Sequence, residues 1–112
     1  SAASDVYKRQ ICNNDSMAVG VAQEVQKAKI DTNTLPILGV DATTDGLDLI
    51  SQGAMACTIF QPAKGQGEAA VKAAEKLASG QSVESLDGAE HNGLFVWVPF
   101  EQVTAENLSQ YQ

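Results

Sequence analysis

Polar side chains follow three apolar runs of the sequence, each at the point where the run ends. These side chains are Asn14 after "IC", Asp41 after "ILGV" and Gln61 after "CTIF". The carboxyl ends of strands in an open α/β sheet form a ligand-binding edge, and amide and carboxylate groups offer donors and acceptors to neighbouring sugar hydroxyls. Because no nucleophile–base pair accompanies them, the pattern predicts a site that holds a neutral polyol without reacting with it. Any one of the three, taken alone, would equally serve as a helix cap or a turn residue.

A second pattern, Gly65-x-Gly67-x-x-Ala70, has the spacing of the turn that holds a pyrophosphate in dinucleotide-binding proteins. It follows an apolar run and precedes an Ala-rich stretch, as that motif requires. A dinucleotide fold also needs a further strand that ends in an acidic residue, but after Ala78 no apolar run occurs until Leu94. The Gly-Lys-Ser/Thr of a phosphate loop is missing as well. We therefore interpret "QPAKGQG" as a crossing or hinge loop.

The elements that must position these residues alternate between helix and strand. Apolar residues at helical spacing predict helices over 15–29, 45–53, 66–79 and 104–111. Short runs rich in branched apolar residues predict buried strands over 35–40, 54–60 and 93–100. This alternation predicts an α/β fold with parallel strands.

The composition limits the classes of function. The 112 residues carry a formal net charge of −7, which disfavours a nucleic-acid partner because such proteins concentrate Lys and Arg. No apolar run approaches the roughly 20 residues that span a bilayer. Cys12 and Cys57 lie in apolar runs and are predicted to be buried thiols, with a disulfide or a reactive thiol as alternatives. Together with His91, which lies in a polar turn, they are too few to hold a metal, so we predict neither a metal nor a cofactor.

The first ten residues, "SAASDVYKRQ", have no periodicity and join abruptly to "ICNND". Residues 5–10 are what GATGTGTATAAGAGACAG encodes, which resembles the mosaic-end adapter of transposon-based sequencing libraries. We interpret residues 1–10 as an adapter-derived, non-native extension that adds nothing to folding, with the native frame entering near Ile11 and the protein being a fragment. A native N-terminal tail is the alternative. On the first interpretation, the lack of a visible signal peptide says nothing about compartment.

Four segments, in order, resemble the C-terminal part of periplasmic sugar-binding proteins of bacterial transporters, of the ribose- and galactose-binding type. They are "ICNNDSMAVG", "LPILGVDATTDG", "GAMACTIFQPAKGQGEAAVKAAEKLASG" and "VWVPFEQVTAENLSQY", and the resemblance covers residues 11–112. It implies a Rossmann-like parallel sheet with flanking helices. This sheet would be part of a periplasmic-binding-protein fold, in which three hinge strands join two lobes. Residues 11–61 and 98–112 would then belong to the C-terminal lobe. Residues 62–97 would form hinge crossings and a segment that packs on the N-terminal lobe.

The resemblance implies the sugar-binding component of an ABC transporter, not an enzyme. In that family the residues matching Asn14, Asp41 and Gln61 contact the sugar, and the one matching Gln61 also lies at a hinge. The aromatic rings that sandwich a pyranose come from earlier in the chain, so Trp97 is expected to pack in its strand. Lobe closure around a monosaccharide would create the form that the membrane permease recognises. The family also implies a monomer when full length, located in the periplasm or, in a Gram-positive source, present as an extracellular lipoprotein.

The effector-binding domain of a sugar-responsive LacI-type transcription repressor shares the implied fold. Such proteins commonly have "GFDD" where this chain has "GVDATTDG", and they carry a DNA-binding headpiece. The "GVDA" form and the "VPFEQVTAENL" ending favour the transporter component. An enzyme of doubly wound fold is disfavoured because no reactive residue stands at the strand ends. The sequence does not identify the sugar.

Overall fold

A computed structural model describes residues 8–112, which divide into two compact units. The first unit contains the described residues up to Gln61 together with Glu101–Gln112, and the second is Pro62–Phe100. The chain thus returns to the first unit at residue 101, later than the lobe boundary predicted at residue 98. The assignment of these units to two lobes of a larger protein stays a prediction.

Short parallel strands lie side by side in the first unit. β1 (Gln10–Ile11) pairs in parallel with β2 (Ile37–Leu38). β3 (Thr58–Phe60) lies on the other side of β2, where a parallel bridge joins Leu38 to Cys57. β2 and β3 are shorter than the apolar runs that predicted them, but both lie inside those runs, and their parallel direction is the predicted one.

The predicted strand over 93–100 is wrong in its bounds, because the structure divides it. In the second unit β4 (Ala89–Glu90) pairs antiparallel with β5 (Phe95–Val96). The next strand, β6 (Glu101–Val103), belongs to the first unit and pairs antiparallel with β3. Pro99 lies between β5 and β6, and a proline has no N–H to donate to a ladder. The last strand is therefore an antiparallel exception to the predicted parallel sheet.

Two helices pack against each other in the first unit. α1 (Asp15–Lys27) and α2 (Thr44–Ser51) confirm the helices predicted over 15–29 and 45–53, with small differences at the ends. Both turn small or branched apolar residues inward, as their spacing predicts. The core that results contains Cys12, Ala18, Ala22, Val25, Ile37, Leu47, Ile50, Met55, Val103 and Leu108.

The helix predicted over 104–111 is wrong, since that segment forms only a 3-10 turn at Leu108–Gln110. Asn107 gives the physical reason. Its side chain accepts the N–H of Thr104 at 2.8 Å and donates to the carbonyl oxygen of Gln102 at 2.8 Å. Local side-chain bonds of this kind offer the backbone an alternative to a helix.

The second unit contains α3 (Ala63–Ala78), which begins earlier than the helix predicted over 66–79. The Gln66 N–H donates to the Pro62 carbonyl at 2.9 Å, so the helical hydrogen bonding starts directly after the proline. The interpretation of "QPAKGQG" as a loop is therefore wrong for most of that stretch. A proline is tolerated there because the first N–H groups of a helix need no intrahelical acceptor.

Residues 1–7 lie outside the described residues, so most of the predicted non-native extension is not described. Gln10, however, is the first residue of β1, and its N–H donates to the Pro36 carbonyl at 2.9 Å. The expectation that none of the first ten residues contributes to folding is therefore wrong for residue 10. Strand pairing uses backbone groups that every non-proline residue has, so this bond does not depend on the origin of the residue. The adapter origin of residues 1–10 stays a prediction.

Candidate functional site

Backbone hydrogen bonds bring the three predicted strand ends together. The Asp15 N–H donates to the Val40 carbonyl at 2.8 Å, which joins the start of α1 to the segment after β2. The Asp41 N–H donates to the Ile59 carbonyl at 2.8 Å, which joins the segment after β2 to β3. The residues that follow β1, β2 and β3 consequently lie at one edge of the first unit.

At this edge two of the predicted site residues are in direct contact. The Gln61 Nε2 donates to the Asp41 Oδ1 at 3.2 Å. The Asp41 side chain is exposed, and a carboxylate can accept several hydrogen bonds on its two oxygens. One bond from Gln61 therefore fixes the direction of the carboxylate while leaving acceptor positions free for a ligand.

The backbone at this position is strained. Asp41 has φ = 106° and the following Ala42 has φ = 50°, values that residues with a Cβ rarely adopt. Each such residue costs on the order of 1–3 kcal/mol and persists only where the surrounding structure holds it, commonly at ligand-binding sites. The strain marks the turn after β2 as a segment whose conformation other contacts must enforce.

Asn14 is the N-cap of α1. Its backbone is extended, and its side-chain Oδ1 accepts the Met17 N–H at 2.9 Å. The helix-cap alternative that the sequence left open is therefore realised at this position. The cap occupies the amide oxygen only, so the Nδ2 group keeps its two donors.

Asp15, the first residue of α1, is a buried carboxylate at the same edge. Its side chain is 0% exposed. One oxygen, Oδ1, accepts the Thr58 hydroxyl at 2.7 Å. The other, Oδ2, accepts the Thr43 N–H at 2.8 Å and the Thr43 hydroxyl at 3.2 Å. Asp15 thus links the start of α1 to the turn after β2 and to β3.

Two glycines make room for this carboxylate. A Cβ on Gly39 would lie 2.2 Å from the Asp15 Oδ1, and a Cβ on Gly46 would lie 2.1 Å from its Oδ2. Sequence reasoning missed this cluster. The available signal was a set of hydroxyl and glycine residues near the three strand ends, "GVDATTDG" and "CTIF", beside an aspartate that opens a helix.

The remaining residues with reactive side chains include two cysteines. Cys12 and Cys57 are free and buried, which confirms the predicted buried thiols. Burial raises the pKa of the Cys12 thiol, and a hydrogen bond with Gln10 opposes the rise. Among residues 8–112 no group of three or more His, Cys, Asp or Glu side chains is arranged to hold a metal ion.

Two predictions about rings in the second unit have different outcomes. His91 is exposed, as its polar turn predicts. Trp97 was expected to pack in a strand, but it follows β5, is 59% exposed and stacks on Phe95 with ring centroids 5.7 Å apart. The strand ends at Val96, so the expectation that Trp97 packs within its strand is wrong. None of the helices in the described part of the chain is both long and apolar enough to cross a membrane.

The first unit is an α/β domain with polar side chains at the edge where its parallel strands end. The chain belongs to the periplasmic binding protein family, since the family's sequence model for the periplasmic binding protein domain matches residues 4–82. That range begins inside residues 1–10, so the family match does not set those residues apart. The family is one of binding proteins rather than enzymes.

Similar curated proteins extend over most of this chain. It is 37% identical over 102 residues to a putative rhizopine-binding protein of Rhizobium meliloti. The match covers 91% of this chain and 30% of that protein. It is 36% identical over 101 residues to the D-galactose/methyl-galactoside binding periplasmic protein MglB of Haemophilus influenzae. This match covers 90% of this chain and 30% of that protein. The chain therefore spans about 30% of the length of these relatives.

Solved structures confirm the fold class. An ABC transporter solute-binding protein from Bacillus halodurans with bound myo-inositol matches with a TM-score of 0.67 and 31% identity, over 93% of this chain and 32% of that one. A periplasmic solute-binding protein from Actinobacillus succinogenes with bound D-allose matches with a TM-score of 0.70 and 25% identity, over 93% of this chain and 33% of that one. The predicted α/β, Rossmann-like architecture of sugar-binding proteins is therefore confirmed.

Proposed function

We propose that this chain is the C-terminal part of the substrate-binding component of a bacterial sugar ABC transporter. In this proposal a monosaccharide binds between two lobes and is contacted by Asn14, Asp41 and Gln61. The observation that carries the proposal is the convergence of three polar strand ends at one edge, with the Gln61 amide bonded to the Asp41 carboxylate at 3.2 Å. The relatives support a sugar or another polyol as ligand, since their names and bound molecules include a galactoside, myo-inositol and D-allose.

The side chains at the edge divide the recognition of hydroxyl groups between them. A carboxylate only accepts hydrogen bonds, so Asp41 would receive the hydrogens of sugar hydroxyls. The free Nδ2 donors of Asn14 and the amide of Gln61 would serve the hydroxyl oxygens. Bonds to the carboxylate are charge-assisted and are therefore the stronger ones. An anionic ligand would be repelled by Asp41, which favours a neutral polyol.

The proposal includes the partners and the location that the family suggests. Binding would stabilise a closed form of the two lobes, and the membrane permease subunits of the transporter would recognise that form. The full-length protein would act as a monomer in the periplasm, or as an extracellular lipoprotein in a Gram-positive source. The relative MglB and the two solved structures carry the names of periplasmic or ABC transporter binding proteins, which supports this reading over a LacI-type repressor. The net charge of −7 agrees with a partner other than nucleic acid.

The test is a calorimetric titration of the full-length protein that carries this chain. The panel contains D-ribose, D-galactose, D-glucose, D-allose, D-arabinose and myo-inositol. We expect micromolar or tighter binding of at least one member, and a loss of about ten- to a hundredfold for Asp41→Ala, since hydrogen bonds to charged groups are worth about 1.5–3 kcal/mol. Asp48→Ala, which removes an exposed carboxylate of α2, is the matched control and should bind like the wild type. Absence of binding to the whole panel, or wild-type affinity in Asp41→Ala, contradicts the proposal.

A further inference from the structure

We infer that Asp15 is a positioning residue of the ligand site: through Thr43 and Thr58 it holds the strained turn that presents the Asp41 carboxylate. This inference rests on the proposed function, because Asp41 matters only if a ligand binds there. Asp15 itself is fully buried and is not proposed to touch the ligand.

The contacts of Asp15 reach both segments that flank the predicted ligand residues. Thr43 comes two positions after Asp41, and Thr58 comes three positions before Gln61. Thr43 donates to Asp15 through both its N–H and its hydroxyl, and Thr58 donates through its hydroxyl. One carboxylate therefore fixes the spacing between the turn after β2 and the end of β3.

The network also holds the strained backbone. The Thr58 hydroxyl donates its hydrogen to Asp15, and its oxygen accepts the Ala42 N–H at 3.2 Å. The N–H groups of Ala42 and Thr43, the two residues after Asp41, are thus both tied to Asp15, one directly and one through Thr58. A turn with two successive positive φ values persists only when its surroundings over-determine it. These bonds are the contacts that do so.

The charge of Asp15 suits this role better than a neutral group would. A carboxylate accepts all three donors at once, and it lies in the first turn of α1, where the helix dipole favours a negative charge. An asparagine there would offer one oxygen acceptor and would turn an NH2 group toward further donors. The isosteric change Asp15→Asn should therefore loosen the turn with little change in volume.

The test is a double-mutant cycle on sugar affinity in the full-length protein, using the panel member that binds the wild type best. We expect Asp15→Asn and Thr58→Val each to weaken binding by about tenfold or more, but by less than about threefold when Asp41→Ala is also present, because positioned contacts are not additive. Thr58→Ser keeps the hydroxyl and should restore affinity to within about threefold of the wild type. If Asp15→Asn and Thr58→Val weaken binding by the same factor with and without Asp41→Ala, Asp15 supports only the fold. That result would overturn the inference. If Asp15→Asn does not fold, the near-isosteric Thr58→Val decides by itself.

Amide hydrogen exchange without sugar separates this inference from the proposed function. In Asp15→Asn we expect the Ala42 and Thr43 amides to exchange about tenfold faster or more, while the Ala22 amide in α1 changes far less. If the wild type binds no sugar, the proposed function fails, and this measurement alone decides whether Asp15 holds the turn. Equal acceleration at all three amides would contradict the inference, since it indicates a general loss of stability.

Discussion

Asp15 and Asp41 are carboxylates of the same edge, but their surroundings give them different tasks. Asp15 is fully buried and receives three donors from two threonines. Asp41 is exposed and receives one bond from Gln61. A buried charge is tolerated only when its hydrogen-bonding capacity is satisfied, whereas an exposed one keeps free acceptors. Asp15 is therefore suited to building the edge and Asp41 to meeting a ligand.

Asn14 caps α1 through its Oδ1 and is proposed to contact the ligand through its Nδ2. Substitutions can therefore test the two roles separately. Asn14→Ala removes the cap on the Met17 N–H and should lower the free energy of unfolding by about 1 kcal/mol. Asn14→Ser retains a capping oxygen and should leave stability within a few tenths of a kcal/mol of the wild type. Both changes remove the Nδ2 donors and should weaken sugar binding to a similar extent. Thermal denaturation and calorimetry of the two variants give the comparison, and full affinity in Asn14→Ser would mean that Asn14 is only a cap.

Among the elements, the glycines inside helices have different surroundings. Gly65 and Gly67 fit a phosphate-binding spacing but lie inside α3, and neither has a positive φ. Nothing lies within 4 Å of a Cβ built on Gly67. Gly46, in the first turns of α2, has no room for a Cβ because the Asp15 carboxylate occupies that space.

Alanine at two of these glycines should therefore have opposite effects on stability. Gly67→Ala should raise the free energy of unfolding by about 0.5–1 kcal/mol, because glycine is unfavourable inside a helix. Gly46→Ala should lower it by about 1–3 kcal/mol through overpacking against Asp15. Urea denaturation of both variants measures the difference. A loss of stability in Gly67→Ala would show that this glycine is required for something other than the helix.

At the scale of the whole molecule, the two units differ in how much they bury. Val83 is the single buried residue of the second unit, Pro62–Phe100, all of which is described. Large apolar side chains are exposed there instead, namely Val71, Leu77, Leu94, Phe95, Trp97 and Phe100. A unit with so little buried apolar area has little to offset the entropy of ordering its chain. In the proposed function, an N-terminal lobe would cover this surface.

The 112-residue chain by itself should therefore be marginally stable and should associate. We expect sedimentation velocity to show species larger than a monomer that increase with concentration, and calorimetry to show no sugar binding. Replacing two exposed rings together, Trp97→Ser with Phe100→Ser, should reduce the association. Ile30→Ser, at an exposed apolar residue of the first unit, is the control and should not. A chain that stays monomeric at all concentrations would contradict this prediction.

Much of the first unit could be predicted from the sequence because its signals are local. The helical spacing of apolar residues placed α1 and α2, and the apolar runs placed β2 and β3. The polar residue at the end of each run identified Asn14, Asp41 and Gln61 as neighbours, since parallel strands end at a common edge. The last predicted helix did not form, because the Asn107 side chain makes local hydrogen bonds to the backbone that compete with helical ones.

Tertiary structure alone decided which aspartate builds the edge. The donors to Asp15 come from residues 28 and 43 positions away along the chain, so no local pattern indicates that its carboxylate is buried and fully bonded. The strained φ of Asp41 and the antiparallel pairing of β6 with β3 likewise depend on distant partners. From short-range periodicity the sequence located α1, α2, β2 and β3 and the polar residues that follow the strands. Burial and hydrogen-bond partners are properties of the assembled unit, and they emerge only when its strands and helices meet.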